Sequence, residues 1–241
     1  MAIFERNARV DIVKVNSNGL ITNKGMLSLM ENVACMHSDV AGYGIMDIPR
    51  THLSWVQLNW KVKISRRLSY GETVAIKTWA RNATKVSTLR DFEIIDDNGK
   101  TACTATTKWT LVNTDTQSIT RIPDDVISQY IPEDKTVFPD FEFKRLEEPV
   151  EFSSEYVYTT QRRDIDVNKH MHNLNYLDLA YEALPEDVYL NEEFNNLEIM
   201  YKTAIKLGDT SKCLYSYKDG KHVVTIKSMD EKILHCIINL W

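Results

Sequence analysis

Gly25-Met26-Leu27-Ser28-Leu29-Met30-Glu31-Asn32-Val33-Ala34-Cys35-Met36-His37-Ser38-Asp39-Val40, followed by Val56-Gln57-Leu58-Asn59-Trp60-Lys61-Val62-Lys63-Ile64, decides the fold class. In the first stretch Met26, Met30, Val33 and His37 recur at helical spacing while Leu27, Leu29, Ala34 and Met36 fill other faces. A helix apolar nearly all round has to be covered on several sides, and a sheet wrapped about it does that. The second stretch alternates Val56, Leu58, Trp60, Val62 and Ile64 with Gln57, Asn59, Lys61 and Lys63, the period of a strand with one wet face. Further strands are predicted at Val74–Trp79, Leu89–Ile95 and Thr101–Val112, the last two joined by the turn Asp96-Asp97-Asn98-Gly99.

The same order returns later in the chain. Leu174, Leu177, Tyr181 and Leu184 form a helical stripe closed by Pro185, and strands are predicted at Leu197–Leu207, Lys212–Tyr217, His222–Ser228 and Ile233–Trp241. Gly71-Glu72-Thr73 is echoed by Gly208-Asp209-Thr210, 137 residues on and again between two strand-like runs. A helix followed by an antiparallel sheet, twice, is an α+β architecture. Between the halves lies Asp124–Pro149, which together with the adjoining Pro123 holds four of the six prolines and carries eight acids against three bases, a local −5 equal to the net charge of the whole chain. Proline and acidity together predict a solvated connector, so the expected division is 1–130, a linker 131–149 and 150–241.

The 241 residues are 43% hydrophobic and 26% charged, the balance of an ordinary globular chain. A net charge of −5 offers no general attraction to a polyanion, so nucleic acid is not an expected partner. Apolar runs such as Ile233–Trp241 are too short for a membrane span, and the N-terminus Met1–Val13 lacks the apolar core of a secretory signal, so a cytoplasmic location is expected. Cys35, Cys103, Cys213 and Cys236 stand far apart without zinc spacing and are read as reduced core residues, leaving no metal site.

Chemistry concentrates in Arg162-Arg163-Asp164-Ile165-Asp166-Val167-Asn168-Lys169-His170-Met171-His172-Asn173, just before the second apolar helix. Asn173 is placed to cap that helix, whose first unpaired N–H groups would receive an oxyanion. A carboxylate and an imidazole beside such donors suit acyl hydrolysis, although a purely structural hydrogen-bonded loop fits the same pattern.

Asp164-Ile165-Asp166-Val167-Asn168-Lys169-His170-Met171-His172-Asn173 with Tyr176 resembles the D-x-D-x-N-x-H-x-N-N-x-x-Y signature of acyl–acyl carrier protein thioesterases. Trp79, Arg90-Asp91-Phe92-Glu93-Ile94, Asp97-Asn98-Gly99-Lys100, Ala105-Thr106-Thr107-Lys108-Trp109 and Arg121-Ile122-Pro123 are similar to that family's N-terminal half in order and spacing. The resemblance implies a tandem (double) hotdog fold, each half a long helix wrapped by a curved antiparallel sheet. It further implies an acyl-chain pocket in 1–130 and catalysis in 150–241, without metal or cofactor. The implied reaction is hydrolysis of fatty acyl-acyl carrier protein, releasing free fatty acid and terminating chain elongation. The matching candidates are Asp166, to activate water or attack the carbonyl, Asn168, to orient, and His170, to assist proton transfer, with His172 and Asn173 as a supporting or oxyanion region.

The chain departs from the pattern at His172, where the family carries Asn, and at Ala204 and Ile205, which stand at the family's Glu and Cys positions; Glu198 reads as a surface residue. Lys61, Lys63, Arg66 and Arg67 form a candidate docking patch for the acidic carrier protein, which Lys202 and Lys206 extend. A homodimer is a candidate assembly. The competing functions are a non-hydrolytic acyl-thioester or carrier-binding protein with a degenerate site and a hotdog dehydratase.

Overall fold

In the computed structural model, which describes residues 2–241, the chain divides into two units, Met1–Phe143 and Lys144–Trp241. The first runs β1 (Phe4–Arg9), α1 (Asn23–Ala41), α2 (Ile48–Thr51), β2 (Leu53–Ile64), β3 (Thr73–Ala80), β4 (Thr88–Ile95), β5 (Thr101–Asn113), β6 (Ser118–Thr120) and α3 (Asp124–Ser128). Its strands pair antiparallel in the order β1-β3-β4-β5-β2, with β6 added to β5. The second unit holds β7 (Ser154–Thr159), α4 (Asn175–Glu182), α5 (Glu186–Asn191), β8 (Asn196–Tyr201), β9 (Thr210–Lys218), β10 (Lys221–Ser228) and β11 (Leu234–Leu240). Its antiparallel order, β7-β9-β10-β11-β8, repeats the first. Both units are α+β, as the two patterns predict.

Helix α1 is the predicted core helix. Thr22 Oγ1 accepts the Gly25 N–H at 2.9 Å, and the helix ends at Gly42, whose φ of +78° lets its N–H turn back to the last carbonyls. Met26, Leu27, Met30, Val33 and His37 are all buried. Beneath the helix, buried Arg90 donates to His37 Nδ1 at 3.0 Å and to Thr78 Oγ1 at 3.2 Å, and its guanidinium lies 5.4 Å from the Tyr130 ring centroid. This polar cluster fixes α1 in rotation, because burying the guanidinium without those acceptors would be costly.

Four expectations are corrected. The helix of the second unit is not long: α4 has eight residues, because Pro185 stops the stripe after Leu184. The strand predicted at Leu197–Leu207 ends at Tyr201, and residues 203–209 leave the sheet for other partners. In β2 the alternation holds from Trp60 to Ile64, but Leu58 is bulged opposite Trp109 and Lys108, and Gln57 and Asn59 are buried where a wet face is predicted.

The fourth concerns Asp124–Pro149, which is not wholly a solvated connector. Val126 and Tyr130 are core residues of the first unit, and the chain beyond them follows β3 and β4. Glu133 N–H bonds Ala80 O at 2.9 Å, Trp79 Nε1 donates to Lys135 O at 2.8 Å, and Val137 N–H reaches Asp91 Oδ2 at 3.3 Å. The Tyr130 hydroxyl accepts from Trp55 Nε1 at 2.8 Å and donates to Ser38 Oγ at 3.1 Å. Tyr130→Phe strands the indole N–H, so it is expected to cost about 1–3 kcal/mol in chemical denaturation; a loss under about 0.3 kcal/mol would show that this segment does not pack as described.

Candidate active site

The segment singled out by sequence folds as a 3-10 turn, Arg162–Asp164, followed by a tight hairpin closed by the Ile165–Met171 bridge. Its two carboxylates have different surroundings. Asp164 is buried, and its Oδ2 accepts the Tyr158 hydroxyl at 2.8 Å and the Gln161 N–H at 2.7 Å, so it holds the turn together. Asp166 is half-buried, and its Oδ1 accepts the N–H groups of Asn168 at 2.8 Å and His170 at 3.4 Å. Its backbone N–H bonds His170 O at 2.9 Å, and its own carbonyl accepts the Lys169 N–H at 3.0 Å. The second oxygen, Oδ2, has no hydrogen bond and no ion pair among the described residues.

The first unit builds the same loop 150 residues earlier. Asn16 Oδ1 accepts the N–H groups of Asn18 at 3.0 Å and Leu20 at 3.1 Å, Asn16 N–H bonds Leu20 O at 2.8 Å, and Val15 bridges Ile21. Asp166, Lys169, His170, His172 and Tyr176 thus stand where the first unit has Asn16, Gly19, Leu20, Thr22 and Met26. The scaffold is common to both, and at these five positions only the second copy carries titratable side chains. Lys169 takes φ +63° where Gly19 takes +73°, a left-handed conformation costing a side-chain-bearing residue roughly 1–2 kcal/mol.

Asp166, Asn168 and His170 therefore share one five-residue turn, but their side chains form no hydrogen bonds with one another. The Asn168 amide is exposed and the His170 ring half-buried. Asn173 does not cap α4: Leu174 occupies the N-cap without a side-chain bond, His172 Nδ1 accepts the Leu174 N–H at 3.4 Å, and Asn173 contributes its carbonyl to the Tyr201 hydroxyl at 3.0 Å. The expected Asn173 cap is corrected accordingly.

The segment after β8 folds against the turn. Met171 N–H bonds Ile205 O at 2.8 Å, Gly208 N–H bonds Thr160 O at 3.1 Å, and Ile205 N–H donates to the buried Tyr176 hydroxyl at 3.2 Å. Ala204 is thus adjacent to the turn, exposed and without a carboxylate. Glu198 lies on β8 with its carboxylate 3.5 Å from Lys221 Nζ. No cysteine is suited to nucleophilic attack. Burial pushes the thiols of Cys103 and Cys213 up to about 12, drives that of Cys236 well above its ordinary value, and, with Glu31 and Asp39 adding to the burial, raises Cys35 to about 11.

The basic cluster predicted for docking is largely engaged within the first unit. Arg66 pairs with Glu72 at 2.8 Å and Asp96 at 3.1 Å, Arg67 donates to Ile21 O and to Asn23 Oδ1, and Lys61 Nζ lies 4.9 Å from the Phe141 ring centroid. Lys63 is exposed. Sequence reasoning missed the loop Asn16–Leu20, although Asn18, Asn23, Leu27 and Leu29 recur as Asn168, Asn173, Leu177 and Leu179 at one constant offset.

Two units with the same strand order, each with a helix on an antiparallel sheet and one with an Asp/Asn/His turn, define a double hotdog protein. Residues 1–130 match the acyl-ACP thioesterase N-terminal domain and residues 147–238 the acyl-ACP thioesterase C-terminal domain, so the chain belongs to the acyl-ACP thioesterase family. It is 26% identical over 213 residues to oleoyl-acyl carrier protein thioesterase 1, chloroplastic, of Arabidopsis thaliana, covering 81% of this chain and 59% of that protein. It is 26% identical over 212 residues to palmitoyl-acyl carrier protein thioesterase, chloroplastic, of Cuphea hookeriana, covering 83% and 51%. The chain spans about half to three-fifths of the length of these curated relatives. Among solved structures, its fold is similar to an acyl-ACP thioesterase of Bacteroides thetaiotaomicron, with TM-score 0.86, 21% identity and coverage of 99% and 97%. It is also similar to the 12:0-ACP thioesterase of Umbellularia californica, with TM-score 0.88, 19% identity and coverage of 100% and 96%.

Two measurements check this geometry. A colorimetric thiol reagent is expected to leave Cys103, Cys213 and Cys236 unlabelled in the native protein and to label all four cysteines in denaturant; fast native labelling of any of those three contradicts their burial. In thermal unfolding Asp166→Asn is expected to stay near wild type, because Asn16 holds the equivalent loop with an amide, while Asp166→Ala loses about 1–2 kcal/mol.

Proposed function

We propose that this chain hydrolyses the thioester between a fatty acyl chain and acyl carrier protein, releasing free fatty acid and ending elongation. The observation that carries the reading is the state of Asp166: Oδ1 is held by two backbone N–H groups, while Oδ2 has no partner among the described residues. A fixed carboxylate with one available oxygen suits activation of water or direct attack on a carbonyl. Asn168 would orient the reacting groups, and the His170 ring, which makes no hydrogen bond among the described residues, would move the proton to the departing thiolate. Chemistry is assigned to 150–241, the acyl chain to 1–130, and 131–149 joins them; this division is supported by the uncharged Asn16–Leu20 copy of the loop in the first unit. Among the described residues no helix is long and apolar enough to cross a membrane, and four free thiols fit a reducing cytoplasm.

A second reading, acyl-thioester binding without turnover, is favoured by one observation, the absence of a carboxylate at Ala204 beside the turn. Free-thiol release from acyl carrier protein loaded with different chains separates the two, since binding without release selects the second. Under the hydrolytic reading, Asp166→Asn lowers kcat by roughly 10²–10⁴ with folding retained, while Asn168→Ala and His170→Ala cost a similar amount or less. Normal turnover in Asp166→Asn would remove Asp166 from the mechanism.

A further inference from the structure

The two units provide an internal comparison of charge around the same scaffold. On the second unit Arg162 and Arg163 lie in the 3-10 turn, Lys169 at the hairpin tip, and Lys202 and Lys206 on the segment bonded to the turn through Met171 N–H and Ile205 O. The first unit has Ile12, Val13, Gly19, Ser65 and Ser69 at those places. The matching is fixed by shared hydrogen bonds: Ile21 N–H to Leu68 O parallels Met171 N–H to Ile205 O, and Gly71 N–H to Val10 O parallels Gly208 N–H to Thr160 O. The glutamate and aspartate that follow those glycines cap equivalent N–H groups, Glu72 that of Ser69 and Asp209 that of Lys206.

All five cations are exposed, and none is in an ion pair among the described residues. Arg163 alone has an internal partner, the Tyr158 hydroxyl. Of the nearby acids, Asp164 is buried in its own turn, Asp209 caps Lys206 N–H, and Asp166 forms no ion pair with any of the five. Arg66 and Arg67 show the opposite case, since their guanidinium groups close contacts inside the first unit, and the second unit has Thr203 and Ala204 in their place. Charge that is solvated and unpaired steers an acidic partner, whereas charge neutralised by internal carboxylates does so weakly.

We propose that Arg162, Arg163, Lys169, Lys202 and Lys206 form the docking surface for the acidic face of the acyl carrier protein, in place of the cluster from Lys61 to Arg67. This surface borders the Asp166 turn, so a carrier seated on it would deliver its thioester to the available carboxylate oxygen. The proposal rests on the thioester-hydrolase reading above.

The test compares kcat/KM for an acyl carrier protein thioester with that for the same acyl group on uncharged pantetheine. In Arg162→Glu/Lys202→Glu/Lys206→Glu the carrier-to-pantetheine ratio is expected to fall at least tenfold, chiefly through KM, and the salt dependence of the carrier reaction is expected to flatten. Lys61→Glu/Lys63→Glu is expected to change the ratio less than twofold. An equal loss on both substrates in the triple variant, or a larger fall in the Lys61/Lys63 variant, overturns the docking assignment. Fluorescence anisotropy with labelled carrier protein separates the two claims. Binding that weakens in the triple variant while the wild type releases no thiol retains the surface and removes the hydrolytic reading. Turnover with unchanged binding in the triple variant does the reverse, and a wild type that neither binds nor hydrolyses the carrier thioester removes both.

Discussion

The hydrogen bond from Met171 N–H to Ile205 O, 2.8 Å long, closes the segment that follows β8 onto the hairpin that carries Asp166. With Gly208 N–H to Thr160 O, it makes a frame of main-chain bonds that depends on no functional side chain. The first unit has the same two bonds, Ile21 to Leu68 and Gly71 to Val10. Because the frame is made of backbone, the side chains around it can change without moving it. This is how one scaffold presents Asn16 and Leu20 in one unit and Asp166 and His170 in the other.

How much of this was legible in the sequence depended on whether a pattern was local. The α1 helix and the strands after it follow from apolar spacing, and the echo of Gly71-Glu72-Thr73 in Gly208-Asp209-Thr210 marks a true structural repeat, with the acid of each triplet capping an N–H group three residues before it. Asp166, Asn168 and His170 were legible as a group because they fall in one turn. Contacts between distant segments were not legible. Acidity and proline count suggested a solvated Asp124–Pro149, yet a single aromatic, Tyr130, with bonds to Trp55 and Ser38, packs its first part into the core. The engagement of Arg66 by Glu72 and Asp96 likewise depends on strands brought together by folding.

Pairing also explains why β8 stops where sequence continued it. From Tyr201 back to Leu197 each residue has a register partner in β11, and beyond Tyr201 the chain turns so that His235 Nδ1 meets Thr203 O at 2.8 Å and Tyr176 receives Ile205 N–H. Hydropathy alone did not separate the two stretches, since Ile205 and Leu207 look like strand residues. What separates them is competition for backbone partners, which the hairpin wins over the sheet.

The left-handed Lys169, set against Gly19 at the same point of the repeat, has a wider consequence. A duplicated fold allows the two copies to drift under different pressures. At this turn one copy has glycine, and two nearby arginines, Arg66 and Arg67, are tied to internal acceptors. The other holds a left-handed lysine at the same turn and keeps its nearby cations exposed. A repeat framed by main-chain bonds lets its two copies keep one shape while they part in side chain, so likeness of form between the halves outlasts likeness of sequence.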